Sequence, residues 1–144
     1  MIYTKLTKMA MRLCFEKHKN QIDKSGVPYV FHPFHVAESM SDEYTTCTAL
    51  LHDIVEDTDT TLADLKNMGF PDEVVEAVGA MTHSPDVPYM EYIEKLKSNR
   101  IARAVKISDL THNCDLSRNG EITDEDIIRT EKYKRTLALL REDG

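Results

Sequence analysis

The 144-residue sequence has no tryptophan, only three cysteines, and no apolar run near the roughly 20 residues that a bilayer-spanning helix needs. Cys14, Cys47 and Cys114 lie far apart and form no C-x-x-C pair, so neither a zinc ribbon nor a disulfide framework is indicated. The first residues alternate charged and apolar side chains and lack the uninterrupted apolar region of a signal peptide. These absences predict a cytoplasmic protein that does not enter a membrane.

Positive charge is also scarce. Eighteen basic residues stand against 25 acidic ones, giving a net charge of −7, which argues against binding to nucleic-acid polymers. With 41% hydrophobic residues and no Pro/Gly-rich linker or internal repeat, the chain has the composition of one globular domain over residues 1–144. The oligomeric state is left open by these features.

Strand signals are almost absent, because no stretch sustains period-2 alternation between turn residues. Helical periodicity recurs instead, and it predicts an all-α bundle of seven to eight helices. Residues 19–30 contain Ser25-Gly26 and Pro28 and are predicted to form a loop. The predicted helices cover residues 3–18, Pro33 (as first helical residue) to about Met40, 42–56, Thr61 to Gly69, Pro71 through Met81, Met90–Leu96, Asn99–Asn113, and Thr123 to about Leu140.

The predicted helix 42–56 is apolar nearly all round, yet it ends in the sequence LLHDIVED. One imidazole and three carboxylates within six residues of a buried helix need a cation or a network of donors, because an unpaired buried carboxylate costs several kcal/mol. His52 and Glu56 are four residues apart, as are Asp53 and Asp57, so each pair is expected to share one helical face. A metal site would need further ligands from elsewhere in the chain.

His32, at a predicted helix start, and Asp109, in a later helix, are the candidates for those further ligands. The alternative is a chance His-Asp pair, since spacing alone does not bring residues 32, 52 and 109 together. Glu56 and Asp57 would lie one turn beyond the metal ligands, where they can orient a water or move its proton. Their alternative is a solvated helix end, although negative charge there opposes the helix dipole.

Three segments together make the sequence recognisable: GVPYVFHP at 26–33, TALLHDIVEDTDTT at 48–61 and AVKISDLTHN at 104–113. With them the chain resembles the HD-domain metal-dependent phosphohydrolases, in particular the hydrolase domain of the RelA/SpoT family and the stand-alone small alarmone hydrolases. The likeness extends over about residues 3–140 and implies a compact all-α HD-domain bundle.

The resemblance implies a ligand set and a catalytic pair. It makes His32, His52, Asp53 and Asp109 the ligands of a divalent metal ion, with Mn²⁺ the family's metal. Two imidazoles and two carboxylates also suit Mg²⁺, Fe²⁺ or Zn²⁺. The same resemblance makes Glu56 and Asp57 catalytic.

Three further residues are predicted to bind substrate. Lys106, Asp109 and Asn113 follow i, i+3, i+7 spacing and are expected to share one face of a helix, so that a cation and a carboxamide stand beside a metal ligand. A surface ion pair is the alternative for Lys106. In relatives the position of Asn113 contacts the ribose, and that of Lys24 lies near the base. His112 is expected to point away from Asn113 and to be exposed.

The chain departs from the alarmone hydrolases in the loop before the first motif. Those enzymes carry an arginine that packs on the guanine base, where this sequence has Asp23. A carboxylate neither stacks on a base nor attracts phosphate. The leading hypothesis is therefore a nucleotide phosphohydrolase that removes the 3′-pyrophosphate of ppGpp. One alternative is an HD phosphohydrolase of another phosphorylated nucleotide or cofactor, and a second is a metal-binding regulatory module with little turnover.

Overall fold

The computed structural model describes residues 1–142, and these form an all-α bundle. Within them the only β-type pairing is an isolated bridge between Ile22 and Pro28 in the predicted loop. Counting α3 and α4 as the single helix that the sequence predicts gives eight helices in the described part of the chain, within the predicted seven to eight. The elements are α1 (Lys5–His18), α2 (Phe31–Glu38), α3 (Glu43–Leu51), α4 (Ile54–Asp57), α5 (Leu62–Asn67), α6 (Asp72–Met81), α7 (Tyr89–Lys97), α8 (Arg100–Asn113), a 3₁₀ segment (Leu116–Arg118) and α9 (Asp124–Arg141).

Side-chain caps explain where several helices begin. The side chains of Thr61 and Thr123 each accept a hydrogen bond from the backbone amide three residues later. The side chains of Asp64 and Asp126 in turn accept a hydrogen bond from the amides of Thr61 and Thr123, which completes a capping box at each helix start. Both helix starts were predicted from these residues. After α5 the chain turns at Gly69, whose φ of +99° suits glycine and ends the helix where the sequence predicts.

The prediction that Pro33 opens a helix is wrong by two residues. Helix α2 begins at Phe31 and Pro33 occupies its third position. Proline is tolerated there because the first turn of a helix has no internal partners for its amide groups. The displacement moves His32 from the helix boundary into the first turn, where its side chain faces α8.

Helix α3 lies at the centre of the bundle. Every residue from 45 to 51 is buried, and the helix packs against α1, α2, α6 and α8. Leu50 and Leu51 have no exposed surface, and each buried leucine of this kind contributes roughly 1.5–3 kcal/mol. The predicted central, buried helix is present, and it fixes the position of the residues at its C-terminal end.

The prediction of one continuous helix over 42–56 is wrong at His52-Asp53. Helix α3 ends at Leu51, and Asp53 adopts φ −102° and ψ 2°, outside the helical region, before the single turn of α4. The side chain of His52 bonds back to the carbonyl of Ala49, which competes with the regular helical pattern. Because His52 and Glu56 now belong to different segments, the expectation that they share one helical face also fails.

Residues 19–30 form the predicted loop, and Asp23 organises it. One carboxylate oxygen of Asp23 accepts hydrogen bonds from the amides of Ser25 (2.8 Å) and Val27 (3.0 Å). The hydroxyl of Ser25 donates to the carbonyl of Arg118 at 2.9 Å, so this loop is tied to the 3₁₀ segment. Asp23 therefore has a local structural role that the sequence comparison with arginine did not reveal. None of the helices in residues 1–142 has the length and apolar character that a membrane span requires.

Candidate metal centre

Three elements bring one side chain each to a common buried point: His32 from α2, His52 from the end of α3, and Asp109 from α8. His32 Nε2 lies 2.8 Å from Asp109 Oδ1, and His52 Nε2 lies 3.3 Å from the same oxygen. One ligand atom of each residue lies within 4.8 Å of the others. The three residues are 5%, 1% and 4% exposed, so the cluster is screened from bulk water.

The protonation of His52 is fixed by the backbone. Its Nδ1 lies 2.6 Å from the carbonyl of Ala49, so this nitrogen carries the proton and donates it. Its Nε2 is buried and has no hydrogen-bond partner within residues 1–142, so it is the nitrogen that can take a second proton or bind a metal ion. It faces Asp53 Oδ2 at 3.1 Å and Asp109 Oδ1 at 3.3 Å. A ring nitrogen that faces two buried carboxylates needs a positive charge between them, either a proton or a metal ion, and this donor set fits a divalent metal ion.

The electrostatics of the cluster give the same result. Burial by itself would lower the pKa of His52, but Asp53 and Asp109 outweigh it and raise the pKa well above the usual value. Burial would raise the pKa of Asp109, but Lys106 and His52 hold it well below its usual range. Without a metal ion the buried carboxylates therefore draw a proton onto His52, and a bound cation would take that proton's place.

Asp53 joins the cluster from the break between α3 and α4. Its Oδ2 accepts a hydrogen bond from the hydroxyl of Tyr29, and this oxygen also faces His52 Nε2. Burial would raise the pKa of Asp53, but His52 and the Tyr29 hydroxyl lower it. Tyr29 itself is a residue that the sequence reasoning missed, although it lies in the quoted segment GVPYVFHP. Asp53 thus adjoins the three-residue cluster as a fourth residue and its second carboxylate.

Lys106 supplies the nearest cation. Its Nζ lies 3.1 Å from Asp109 Oδ2, with the lysine side chain 15% exposed, and 5.6 Å from the centre of the Tyr92 ring. Burial would lower the pKa of Lys106, but Asp109 more than offsets this and raises it. The predicted shared face of Lys106, Asp109 and Asn113 is present, and Lys106 forms an ion pair that is buried rather than superficial.

A cavity of 340 Å³ opens beside the cluster, between the loop 19–30, α8, the 3₁₀ segment and α9. It contains all three residues predicted to bind substrate, Lys24, Lys106 and Asn113. Arg118 and Arg129 add two further cations that the sequence reasoning missed, because neither lies in a quoted motif. The lining residues are Asp23, Lys24, Ser25, Tyr29, His32, Asp53, Lys106, Asp109, Asn113, Asp115, Leu116, Arg118, Asn119, Asp126, Arg129, Thr130 and Tyr133.

Lys24 and Asn113 are held by neighbours in this cavity. Lys24 Nζ donates to Asp126 Oδ1 at 3.1 Å and remains 63% exposed. Asn113 Nδ2 donates to Asp109 Oδ1 at 3.2 Å, and Asn113 Oδ1 accepts from Arg118 at 3.2 Å. The carboxamide is thereby oriented with its nitrogen toward the metal cluster.

Glu56 and Asp57 lie at the exposed end of α4 and do not line this cavity. A carboxylate oxygen of Glu56 accepts a hydrogen bond from the backbone amide of His83. The pKa of Asp57 is raised by partial burial and by the neighbouring carboxylate Asp53. Asp57 is thus electrostatically coupled to the cluster, while Glu56 is anchored to the segment between α6 and α7.

The prediction that His112 is exposed is wrong. Its ring is partly buried, and its Nδ1 lies 2.8 Å from Nδ1 of His32. Its other side packs on the His35 ring, with centroids 3.9 Å apart. Burial and then the Arg118 cation lower the pKa of His112 to about 4, so the ring is neutral near pH 7. The sequence correctly predicted that His112 points away from Asn113 around α8, but α2 covers the face of α8 on which His112 lies.

Known proteins match this chain in sequence and in fold. A model of the HD domain family matches residues 10–113. The chain is 36% identical over 110 residues to the guanosine-3′,5′-bis(diphosphate) 3′-pyrophosphohydrolase of Aquifex aeolicus, covering 68% of this chain and 16% of that protein. It is 36% identical over 117 residues to the pyrophosphohydrolase MESH1 of Danio rerio, covering 72% of this chain and 64% of that protein. The chain thus spans less than two thirds of either relative.

A solved structure shares the whole architecture. It is described as a metazoan ortholog of SpoT that hydrolyzes ppGpp and plays a role in starvation responses. It matches with a TM-score of 0.76 and 25% identity, over 98% of this chain and 88% of that one. The all-α fold predicted from helical periodicity is therefore the fold of this group of proteins.

Proposed function

The chain belongs to the HD domain family, and from that membership we propose that it is a metal-dependent phosphohydrolase that removes the 3′-pyrophosphate of ppGpp or a close relative. The observation that carries the proposal is the Nε2 of His52, which is buried without a hydrogen-bond partner and faces two carboxylates beside a cavity that holds four cationic side chains. Proteins of similar sequence are guanosine-3′,5′-bis(diphosphate) 3′-pyrophosphohydrolases, which supports ppGpp as the substrate. The hydrolase domain is proposed to comprise residues 1–144.

His32, His52, Asp53 and Asp109 are proposed to hold the metal ion. When bound, a divalent cation lowers the pKa of a water molecule that it binds and neutralises the negative charge that develops on phosphoryl oxygens. We propose Mn²⁺ as the native ion, because a mixed set of imidazoles and carboxylates suits it, and Mg²⁺, Fe²⁺ or Zn²⁺ as ions that the same ligands accept. Tyr29 orients Asp53, and Ala49 fixes the tautomer of His52.

Glu56 and Asp57 are proposed as the groups that orient the attacking water and accept its proton. The raised pKa of Asp57 supports this role, because a general base works best when its pKa lies near the working pH. The hydrogen bond from the His83 amide holds the Glu56 carboxylate in a fixed direction.

Lys24, Lys106 and Asn113 are proposed to bind the nucleotide. Lys106 lies next to Asp109, where it can bind the phosphate that is hydrolysed, and exposed Lys24 can bind a second phosphate at the mouth of the cavity. Asn113 is suited to a ribose hydroxyl because an amide both donates and accepts. A small, multiply anionic nucleotide thus matches the cations of this cavity, whereas the net charge of −7 disfavours a nucleic-acid polymer.

Asp23 favours a second candidate, hydrolysis of another phosphorylated nucleotide or cofactor. It lines the cavity with a carboxylate, which repels phosphate and offers no flat cation to a guanine base. A regulatory module that binds metal without turnover is the third candidate.

We further propose that the chain works in the cytoplasm, since Cys14, Cys47 and Cys114 are all free within the described residues.

Incubation of the Mn²⁺-loaded protein with a panel of nucleotides that includes ppGpp, followed by product analysis, separates the three candidates. Release of GDP and pyrophosphate from ppGpp supports the first, and turnover of other members alone supports the second. Stoichiometric metal without any turnover leaves the regulatory module. Asp53→Ala is the control, expected to lose both metal and activity, and full activity in this variant contradicts the ligand assignment.

A further inference from the structure

We propose that His112 is a positioning residue for the metal ligand His32: its ring nitrogen accepts the Nδ1 proton of His32 and leaves Nε2 of His32 free to bind metal. This inference rests on the proposed metal site. It concerns a residue of α8 that contributes no ligand atom to the cluster of His32, His52 and Asp109.

The two rings meet edge to edge. Their Nδ1 atoms are 2.8 Å apart and their planes differ by 6°. The ring centroids are 5.0 Å apart, which exceeds the Nδ1–Nδ1 distance by about the width of one imidazole ring, so the rings lie side by side in nearly one plane. This is the geometry of a straight N–H···N hydrogen bond, in which one nitrogen donates and the other accepts.

The direction of that hydrogen bond follows from the other nitrogen of His32. In the metal-free protein Nε2 of His32 lies at hydrogen-bond distance, 2.8 Å, from Asp109 Oδ1, and a bound metal ion would take the place of the proton between them. A neutral imidazole carries one proton, so an Nε2 that offers its lone pair to a metal ion leaves the proton on Nδ1. His32 must then donate from Nδ1, and His112 must accept with its own proton on Nε2.

His112 is itself held in place from two sides. The exposed ring of His35, one turn beyond His32 on α2, packs on its face with centroids 3.9 Å apart and planes 23° apart. Arg118 donates to the backbone carbonyl of His112 at 3.1 Å and fixes the end of α8. The acceptor nitrogen is therefore presented to His32 by α2 and α8, two of the three helices that supply the cluster.

The second imidazole of the cluster, that of His52, has a backbone group rather than a side chain as its outer hydrogen-bond partner. His52 donates from Nδ1 to a backbone carbonyl, that of Ala49, at 2.6 Å. Ligating histidines are commonly oriented in this way by an outer partner, and loss of such a partner costs about 10- to 100-fold in metal affinity. Because the outer partner of His32 is a side chain, its contribution is accessible to substitution.

Two substitutions, His112→Asn and His112→Leu, distinguish the loss of the hydrogen-bond acceptor from the loss of the imidazole ring. Asparagine can place its carbonyl oxygen near the position of Nδ1, whereas leucine fills space without an acceptor. We expect His112→Leu to bind Mn²⁺ and Zn²⁺ about 10- to 100-fold more weakly than the parent and His112→Asn within about threefold of it. Dissociation constants are measured by competition with a chelating indicator. Thr111→Ala, an exposed change on the same helix turn, is the matched control and should leave both constants unchanged.

A spectroscopic readout tests the tautomer directly. Long-range ¹H–¹⁵N spectra of the Zn²⁺-loaded parent protein should show the proton of His32 on Nδ1 and that of His112 on Nε2. The opposite assignment overturns the proposal, as does a leucine variant with parental affinity or an asparagine variant as weak as leucine. If the parent itself binds neither Mn²⁺ nor Zn²⁺, the proposed metal site fails instead. The spectra of the parent keep the inference testable even where a variant folds poorly.

Discussion

Replacing Lys106 by methionine removes the cation paired with the buried carboxylate of Asp109 and keeps most of the apolar stem. The two charges are 3.1 Å apart, and their side chains are only 15% and 6% exposed. Loss of one partner from a buried ion pair costs roughly 3–5 kcal/mol, because the other charge remains unpaired in a poorly solvated place. Asp109 keeps its contacts with His32 and His52, so we expect about 3 kcal/mol in the metal-free protein.

Bound metal changes that expectation. A divalent cation beside Asp109 supplies the missing positive charge, so the same substitution should cost only about 1 kcal/mol in the Mn²⁺-loaded protein. The difference of about 2 kcal/mol must appear reciprocally as metal binding that is about 30-fold tighter in Lys106→Met than in the parent. The prediction therefore links stability and metal affinity through one residue.

Urea unfolding in the presence of a chelator and in the presence of Mn²⁺ measures both values. Lys17→Met is the matched control, because Lys17 pairs with Asp59 at 2.9 Å on the surface, where ion pairs contribute little. It should leave the unfolding midpoint unchanged under both conditions. Equal destabilisation of Lys106→Met with and without Mn²⁺ would refute the reasoning, since it would mean that the metal does not share a site with Asp109.

Three further results are expected. Gly69→Ala should destabilise the protein by about 1–2 kcal/mol, since φ is +99°, whereas Gly120→Ala, with open space around it and an ordinary φ, should be nearly neutral in urea unfolding. The amide of Thr123 helps to lower the pKa of Asp126 to about 2, so its ionised form adds stability that is complete above its unfolded pKa near 4 and lost as the pH falls through 2. Asp126→Asn should therefore flatten the loss of stability between about pH 5 and pH 2, and an unchanged acid profile would count against this cap. Asp23→Asn keeps a hydrogen-bond acceptor for the loop amides and removes a negative charge. The KM for a nucleotide that the protein hydrolyses should therefore fall by up to about fivefold at low salt. An unchanged KM would mean that the substrate stays far from the loop.

Much of the fold follows from local signals in the sequence. The caps at Thr61 and Thr123 and the positive-φ turn at Gly69 depend on residues within four positions of one another, and periodicity identified the buried central helix. The break at Asp53 was not predictable in this way. There Asp53 contacts Tyr29, which lies 24 residues earlier in the chain, and local patterns do not show such a contact.

The candidate site could likewise be predicted only in part from the sequence. The motifs named His32, His52 and Asp109, but only packing of α2 and α3 against α8 brings their ligand atoms within 4.8 Å. The environment of His112 was mispredicted because a single helix shows which way a side chain points and not which neighbouring helix covers it. Asp23 was judged by its charge alone, whereas its hydrogen bonds to the loop amides become visible only in three dimensions.

A metal titration with ppGpp as substrate tests whether the bound metal ion is needed for hydrolysis. Protein stripped of metal is given increasing Mn²⁺, and GDP and pyrophosphate are quantified at each step. We expect no product without metal, a rise in proportion to bound Mn²⁺, and saturation at one ion per chain, with Asp53→Ala inactive throughout. Product that forms equally well without metal, or a fully loaded protein that leaves ppGpp intact, would contradict it.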